Sequence, residues 1–251
     1  VQALTALFGH AHRLGNMDVD LHLDESNDPN CNVLQDVIQV LRQARYEMGY
    51  TGRVVLGHVC TLSLQATETI RTLCQELAAL KNVFIVANPT TNLGLQDRRG
   101  SARPQCTTID ATTPRTPQWR GLTAIQELRT SGVPVAAATD NVRDHWYPYG
   151  DYDLLSVWSL ALQMGHLDTA PTAGHWADLV NDTAAQAMGC GDGQSLTVGA
   201  PADIVLFPEA RGIAELLARP QTNRIVIRNG VAMDFALPDY DEMYDLVPHD
   251  S

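Results

Sequence analysis

The segment Val19-Asp20-Leu21-His22-Leu23-Asp24-Glu25 decides the fold class of this chain. Its apolar and polar residues alternate, which predicts a β-strand with one buried face. The polar face carries His22, and Glu25 follows three residues later, where the strand ends. An imidazole on a strand and a carboxylate at its tip can together hold a metal ion and move a proton. The segment therefore predicts a strand that leads into a reactive site.

Three further segments repeat this design, since each is an apolar run that leads into a polar side chain. They cover residues 53–58, 83–87 and 133–140, and they lead into His58, Asn88 and Asp140. Helical patterns separate the runs, and an alternation of strands and helices predicts a parallel sheet. Function collects at the carboxyl ends of such strands. We therefore expect the polar tips to converge, although two satisfied core histidines are the alternative.

The segments between the strands carry weaker signals. Asp28 and Pro29 predict the N-cap and first turn of the next helix, whose apolar stripe ends at Gly49. The polar stretch from Thr90 to about Gln118 predicts a long loop, which is typical of a lid or a mobile segment. Short strands with Gly and Pro turns follow residue 192. The sequence therefore predicts two domains, residues 1–192 and residues 193–251.

Composition excludes several classes of protein. A net charge of −12 argues against nucleic acid or an anionic membrane surface as a partner. No apolar run approaches the roughly 18–20 residues of a membrane span. The five cysteines are odd in number and form no C-x-x-C pair, which argues against a disulfide framework and a zinc–cysteine site. This usage predicts a reducing, cytoplasmic location.

The motifs at the strand tips resemble those of the amidohydrolase superfamily, and within it those of the bacterial cytosine deaminase group. The resemblance implies a TIM-type (β/α)8 barrel with a small flanking β-sandwich. Residues 1–192 would be its second half, strands 5 to 8, and residues 193–251 the C-terminal part of the sandwich. The motifs that carry it are His22-Leu23-Asp24-Glu25, Gly57-His58, Val86-Ala87-Asn88-Pro89 with Asn92 and Leu95-Gln96, Thr139-Asp140-Asn141 with Trp146-Tyr147-Pro148 and Gly150, and Gly199-Ala200-Pro201-Ala202-Asp203-Ile204-Val205 with Asn229-Gly230.

The resemblance also implies roles for these residues. His22 and Asp140 would be ligands of one divalent metal ion, Zn²⁺ or Fe²⁺. His58 would form a hydrogen bond with the metal-bound water or polarise it, Asp140 would act as the base toward that water, and Glu25 would carry the proton to the ring and the leaving amine. The implied reaction is the hydrolytic deamination of a nitrogen heterocycle, with cytosine, converted to uracil and ammonia, as the favoured substrate.

Three residues are expected to contact the substrate: Asn88, Asn141 and Trp146. Trp146 lies in the loop after the fourth strand and could stack on a planar ring, or else pack in the core. Known cytosine deaminases carry a second aspartate where this chain has Asn141, and an amide differs from a carboxylate because it can also donate. Asn141 is closer to the branch that includes N-isopropylammelide amidohydrolase. An N-substituted aminotriazine-like ring is therefore an alternative substrate, and a non-catalytic member of the fold is a further alternative.

The family's His-x-His pair on the first barrel strand is absent from this sequence. Half a barrel would expose sheet edges, which are unfavourable in isolation. We therefore expect a longer natural protein, or a chain completed by another one. The resemblance also favours a homo-oligomer that acts on a small heterocyclic molecule.

Overall fold

The computed structural model describes residues 1–98, 115–169, 173–191 and 196–234 of the 251-residue chain. Its backbone contacts divide the chain into two compact units, Val1–Gly193 and Gln194–Ser251. Among the described residues, no helix combines the length and the apolar character that a membrane crossing requires. That these units are half of a barrel and part of a sandwich stays a prediction.

The first unit alternates strands with helices, as the sequence predicts. Its strands are β1 (Val19–Leu23), β2 (Val54–His58), β3 (Val83–Ala87) and β4 (Val135–Ala137), and its α-helices are α1 (Gln2–Arg13), α2 (Val33–Gln43), α3 (Thr67–Ala79), α4 (Pro89–Leu95), α5 (Ile125–Thr130), α6 (Leu154–Met164) and α7 (Asp182–Met188). A π turn, Ala44–Met48, extends α2, and 3₁₀ turns occupy Cys60–Leu64, Leu167–Thr169 and Ala173–Leu179.

The four strands form one parallel sheet in the order β1-β2-β3-β4, which confirms the predicted sheet. Its register pairs His22 with Gly57 and Leu23 with His58, so the carboxyl ends of β1 and β2 lie side by side. Helices cover the sheet because their apolar stripes face it. On α2 the residues at helical spacing are at most 1 % exposed: Leu34, Val37, Ile38 and Leu41.

The start of α2 differs from the prediction. Asp28 does not cap the helix; it accepts hydrogen bonds from the backbone and side-chain nitrogens of Asn30, both at 2.9 Å. The cap comes from Asp24, whose two carboxylate oxygens accept the amides of Val33 at 2.8 Å and Leu34 at 2.9 Å. The helix therefore begins where a distant carboxylate satisfies its first free N–H groups, and not at the nearest turn signal.

The predicted loop from Thr90 to about Gln118 is partly helical, which corrects that prediction. Its first residues form most of α4, and the hydroxyls of Thr90 and Thr91 donate to the carbonyl of Thr139 at 2.7 and 3.1 Å. These bonds attach α4 to the end of β4. Residues 99–114 lie outside the described residues, so the lid stays a prediction.

The second unit contains a three-stranded antiparallel sheet in the order β5 (Ile204–Leu206), β6 (Ile225–Arg228) and β7 (Val231–Ala232). Asn229 and Gly230 connect β6 to β7 with φ angles of 48° and 79°. Two left-handed residues suit a tight hairpin, which explains the Asn-Gly pair. The sequence analysis did not predict α8, Ile213–Ala218, which lies between β5 and β6.

Candidate active site

The candidate site lies at the carboxyl ends of the parallel strands. The backbone turns sharply there, with left-handed φ angles at Asp24 (53°), His58 (69°) and Asp140 (63°). Asp and His tolerate this conformation better than most residues. Gly57 is the register partner of His22, and a Cβ atom at Gly57 would lie 3.1 Å from the His22 ring. The absence of a side chain at Gly57 therefore leaves room for the His22 imidazole.

His58 Nε2 is the centre of the site, because four predicted residues surround it. His22 Nδ1 lies 3.3 Å away, and Asn88 Nδ2 lies 3.4 Å away. Carboxylate oxygens of Glu25 and Asp140 each lie 3.7 Å away. The His58 side chain is 1 % exposed, whereas those of Glu25 and Asp140 are 32 % and 17 % exposed. The His58 imidazole is thus buried, whereas the two carboxyl groups beside it are partly accessible to solvent.

The other ring nitrogen of His58 has a fixed partner, Asn92. His58 Nδ1 lies 2.9 Å from Asn92 Oδ1, and Asn92 Nδ2 donates to Cys60 Sγ at 3.0 Å. Burial raises the pKa of the Cys60 thiol, which stays neutral. Because Asn92 Oδ1 can only accept, His58 Nδ1 carries the hydrogen, and the lone pair of neutral His58 is on Nε2. This tautomer directs an acceptor or ligand atom into the site.

The Glu25 carboxyl is adapted to proton transfer. Burial raises its pKa above the ordinary value of 4.5; His58 and His22 act in the opposite direction, and the Asp140 charge adds to the rise. A carboxyl with a raised pKa can hold a proton closer to neutral pH and release it again. This property suits the shuttle role that the resemblance implies.

Two predicted substrate-binding residues lie apart from this cluster in the contacts that the structure describes. The Asn141 side chain donates to Asp144 Oδ2 at 2.5 Å, and its backbone amide donates to Thr91 Oγ1 at 3.0 Å. Trp146 is 46 % exposed, and its ring packs edge-on against His145 with centroids 5.8 Å apart. It is therefore not a core tryptophan. Contact of either residue with a substrate stays a prediction.

The sequence analysis assigned no role to Asn92 or Cys60. The available signal was the spacing of Asn88 and Asn92, since residues four apart on a helix share a face. Both amides do reach His58, Asn88 from the N-cap position of α4 and Asn92 from within that helix. Cys60 gave no usable signal, because its contact with Asn92 joins segments that are distant in sequence.

The donor atoms fit a divalent transition metal. Ligand atoms of His22, His58 and Asp140 all lie within 4.8 Å of one another. Imidazole nitrogen and carboxylate oxygen are ligands for both Zn²⁺ and Fe²⁺. Ligands held about 2.0–2.1 Å from a tetrahedral metal lie about 3.4 Å apart, and the two histidine nitrogens are 3.3 Å apart. The structure thus adds His58 to the two predicted ligands as a candidate donor.

Known proteins with similar sequences and structures include several deaminases. The chain is 40% identical over 229 residues to a pterin deaminase of Rhizobium rhizogenes, which covers 90% of this chain and 47% of that protein. A 5-methylcytosine deaminase from Klebsiella pneumoniae, liganded with 5-fluorocytosine, superposes with a TM-score of 0.72 at 25% identity, covering 96% of this chain and 54% of the other. N-isopropylammelide isopropylaminohydrolase from Burkholderia multivorans superposes with a TM-score of 0.67 at 28% identity, covering 92% and 50%.

The chain spans about half the length of the relatives it matches. Its parallel sheet superposes on TIM-barrel hydrolases, which confirms the predicted fold class. The model of the family described as "Amidohydrolase family" matches residues 1–233, nearly the whole chain. This chain therefore belongs to the amidohydrolase family.

Proposed function

We propose that the protein is a metal-dependent hydrolase that removes the exocyclic amine from a nitrogen heterocycle. The observation that carries this proposal is the convergence of His22, Glu25, Asn88 and Asp140 on His58 Nε2. Two imidazoles and two acids at one point provide both metal ligands and proton carriers. The similarity to three proteins named for the hydrolysis of amino or alkylamino heterocycles supports the same reaction class.

The residues divide the work as follows. His22 and Asp140 would hold the metal, which when bound lowers the pKa of its water to about 7. The Nε2 lone pair of His58 accepts from Asn88 and is not assigned to the metal. Asp140 accepts a proton from the attacking water, whose oxygen adds to the amine-bearing ring carbon. Glu25 gives its proton to the adjacent ring nitrogen, takes the proton of the newly added hydroxyl group and passes it to the amine. The proton that Asp140 accepted then returns to Glu25, so the two protons of the water account for those that the ring nitrogen and the amine gain. Ammonia leaves, and a ring carbonyl takes the place of the amine.

The identity of the ring is the finer part of the proposal. The sequence analysis favoured cytosine, but the 40% identity is to a pterin deaminase, whereas the 5-methylcytosine deaminase shares 25%. Pterin and cytosine both carry an amine on a carbon beside a ring nitrogen, so the same residues could act on either. We place pterin first because of the 40% identity. Cytosine comes before an N-alkylaminotriazine because the structure of its deaminase superposes with the higher TM-score, 0.72 against 0.67, while the two identities are similar at 25% and 28%.

The test is ammonia release by the intact protein from pterin, cytosine and N-isopropylammelide, with and without a chelator; alkylamine release is followed for the last ring. Chelator-sensitive release that Glu25→Gln abolishes is the expected result. His10→Ala is the matched control, because His10 is an exposed histidine on α1. Failure with all three rings, in a sample that contains stoichiometric metal, would contradict the reaction class as applied to these rings. A sample that cannot bind metal would support the non-catalytic alternative.

A further inference from the structure

Asn88 has an acceptor atom that the protein does not use. The residue is 4 % exposed, and no described residue donates a hydrogen bond to its Oδ1. It also occupies the N-cap position of α4, yet its side chain makes no capping bond to the first turn of that helix, which lies wholly within the described residues. Asparagine is among the preferred capping residues. Its side chain is therefore directed away from the helix, toward His58.

A chain of hydrogen bonds fixes which end of the Asn88 amide is unused. Cys60 accepts from Asn92 Nδ2, Asn92 Oδ1 accepts from His58 Nδ1, and His58 Nε2 is consequently an acceptor. Asn88 therefore presents its Nδ2 group to His58, at 3.4 Å. The carbonyl oxygen of the same amide is the atom without a donor. Asn92, which lies one turn further along α4, differs in that both of its side-chain polar atoms are bonded.

A buried acceptor without a donor costs free energy, and a bound ligand can supply the donor. An amide oxygen accepts and cannot donate, so it favours an N–H group over a ring lone pair or an N-methyl group. A ring N–H suits this position better than the exocyclic amine, because the ring N–H is still present after the amine has left. The amide can therefore hold the ring in one orientation throughout the reaction.

The geometry points to Asn88 Oδ1 as the acceptor for a ring N–H of the bound heterocycle, which makes Asn88 a specificity-determining residue. This inference rests on the proposed function for the choice of heterocycle. Sites built to bond a polar group discriminate strongly against analogues that lack it, since the protein group is then left unpaired. Methylation of that ring nitrogen should therefore weaken productive binding by about tenfold to a hundredfold.

The experiment compares two rings in three proteins. The intact, metal-loaded protein, Asn88→Ala and Asn88→Asp are assayed with pterin and 3-methylpterin, or with cytosine and 1-methylcytosine if cytosine is the ring that is hydrolysed. The wild type should prefer the unmethylated ring in kcat/KM by about tenfold to a hundredfold. Asn88→Ala should reduce the preference to within about threefold, whereas Asn88→Asp, which keeps an acceptor oxygen, should retain it. An unchanged preference in Asn88→Ala would overturn the inference.

Asn92→Ala is the matched control, because Asn92 acts on the ring only through His58. It should slow both rings by the same factor and leave the preference intact. If Asn88→Ala behaves in the same way, Asn88 is a positioning residue and the inference is wrong. Circular dichroism of each variant checks that the fold is kept, and Asn88→Asp provides a second variant should Asn88→Ala not fold.

Equilibrium binding separates this inference from the proposed function. Calorimetric titration with lumazine or uracil, the deaminated rings, and with their ring N-methyl derivatives requires no turnover. Binding that depends on the N–H and on Asn88, in the absence of any hydrolysis, would keep the inference and refute the proposed function. Hydrolysis, together with equal affinity for the methylated and the unmethylated ring in every variant, would support the proposed function and refute the inference. Neither binding nor hydrolysis would refute both.

Discussion

The two ends of the parallel sheet use their polar groups differently. At the amino end, Arg45 donates to the carbonyls of Tyr50, Gly52 and Lys81 at 2.8, 2.8 and 3.1 Å. Asp18 accepts the backbone amide of Arg53 at 2.7 Å and pairs with its guanidinium at 3.1 Å. At the carboxyl end, two acids and the His22 imidazole surround His58 Nε2, and the Asn88 oxygen has no donor among the described residues.

This difference indicates where stability and function lie. Hydrogen bonds and ion pairs tie the segments of the amino end together, although the buried Arg45 Nε has no acceptor among the described residues. At the carboxyl end the unused atoms include lone pairs, which a metal or a ligand can use. The carboxyl end is not uniform, however. Asp24 and Asp97 lie there with bonded carboxylates, while Glu25 and Asp140 face an imidazole and each other. Whether its carboxylate accepts hydrogen bonds from the backbone or from an arginine predicts the role of each acid better than its position does.

The largest effect is expected at the carboxyl end, from the loss of a metal ligand. His22→Ala should lower kcat/KM by about 10³-fold or more and remove the bound metal, because a metal ligand is lost. The free energy of unfolding of the metal-free protein should change little, since the His22 side chain is exposed in this chain. Metal content by mass spectrometry, together with thermal unfolding, checks both parts. An active His22→Ala protein that contains stoichiometric metal would contradict the site.

The second effect is expected at the amino end and concerns stability alone. Arg45→Met removes donors from three carbonyls and should lower the free energy of unfolding by about 2–4 kcal/mol. Arg42→Met, nearby in sequence, is the control. Arg42 forms one half-exposed ion pair with Glu76 at 3.4 Å, and such pairs contribute only about 0–1 kcal/mol. Activity per folded molecule should be unchanged in both variants. A large loss of this activity in Arg45→Met would contradict the assignment of stability to the amino end and function to the carboxyl end.

The sequence predicted the parts of the site that depend on strand ends. His22 lies on the polar face of an alternating strand, and His58, Asn88 and Asp140 each end or follow an apolar run, so the order of strands alone brings them to one edge. The start of α2 and the presence of α4 could not be predicted in this way. Asp24 caps a helix nine residues away, and Pro89-Thr90-Thr91-Asn92 contains poor helix formers that depend on bonds to Thr139. Long-range contacts determine where α2 begins and that α4 forms, and such contacts cannot be predicted from a local sequence pattern.

The third prediction tests whether Asp24, an acid at the carboxyl end whose carboxylate is hydrogen-bonded, stabilises the fold without binding the metal. Asp24→Ala removes both acceptors from the first turn of α2 and should lower the free energy of unfolding by about 1–2 kcal/mol. Asp24→Asn, which keeps one acceptor oxygen, should cost less. Metal stoichiometry should stay at the wild-type value in both, because Asp24 is not a member of the donor cluster. Denaturant unfolding and metal analysis provide the measurements, and loss of metal in Asp24→Asn would place Asp24 with the functional acids.

The smallest effect is expected from Asp97, the second bonded acid. Burial alone would raise its pKa, but hydrogen bonds from the amides of Gln118 and Trp119 and from Arg115 outweigh it and hold the pKa below the ordinary 3.8. An acid whose pKa is lower in the folded state than in the unfolded state stabilises the fold above pH 3.8, and this stability is lost as the pH falls through the folded value. Asp97→Asn should therefore cost on the order of 1 kcal/mol at pH 7. Its difference from wild type should shrink as the pH falls below 3.8. Urea unfolding between pH 7 and pH 2.5 measures this difference, and a gap that widens toward acid pH would show that the carboxylate does not act through its charge.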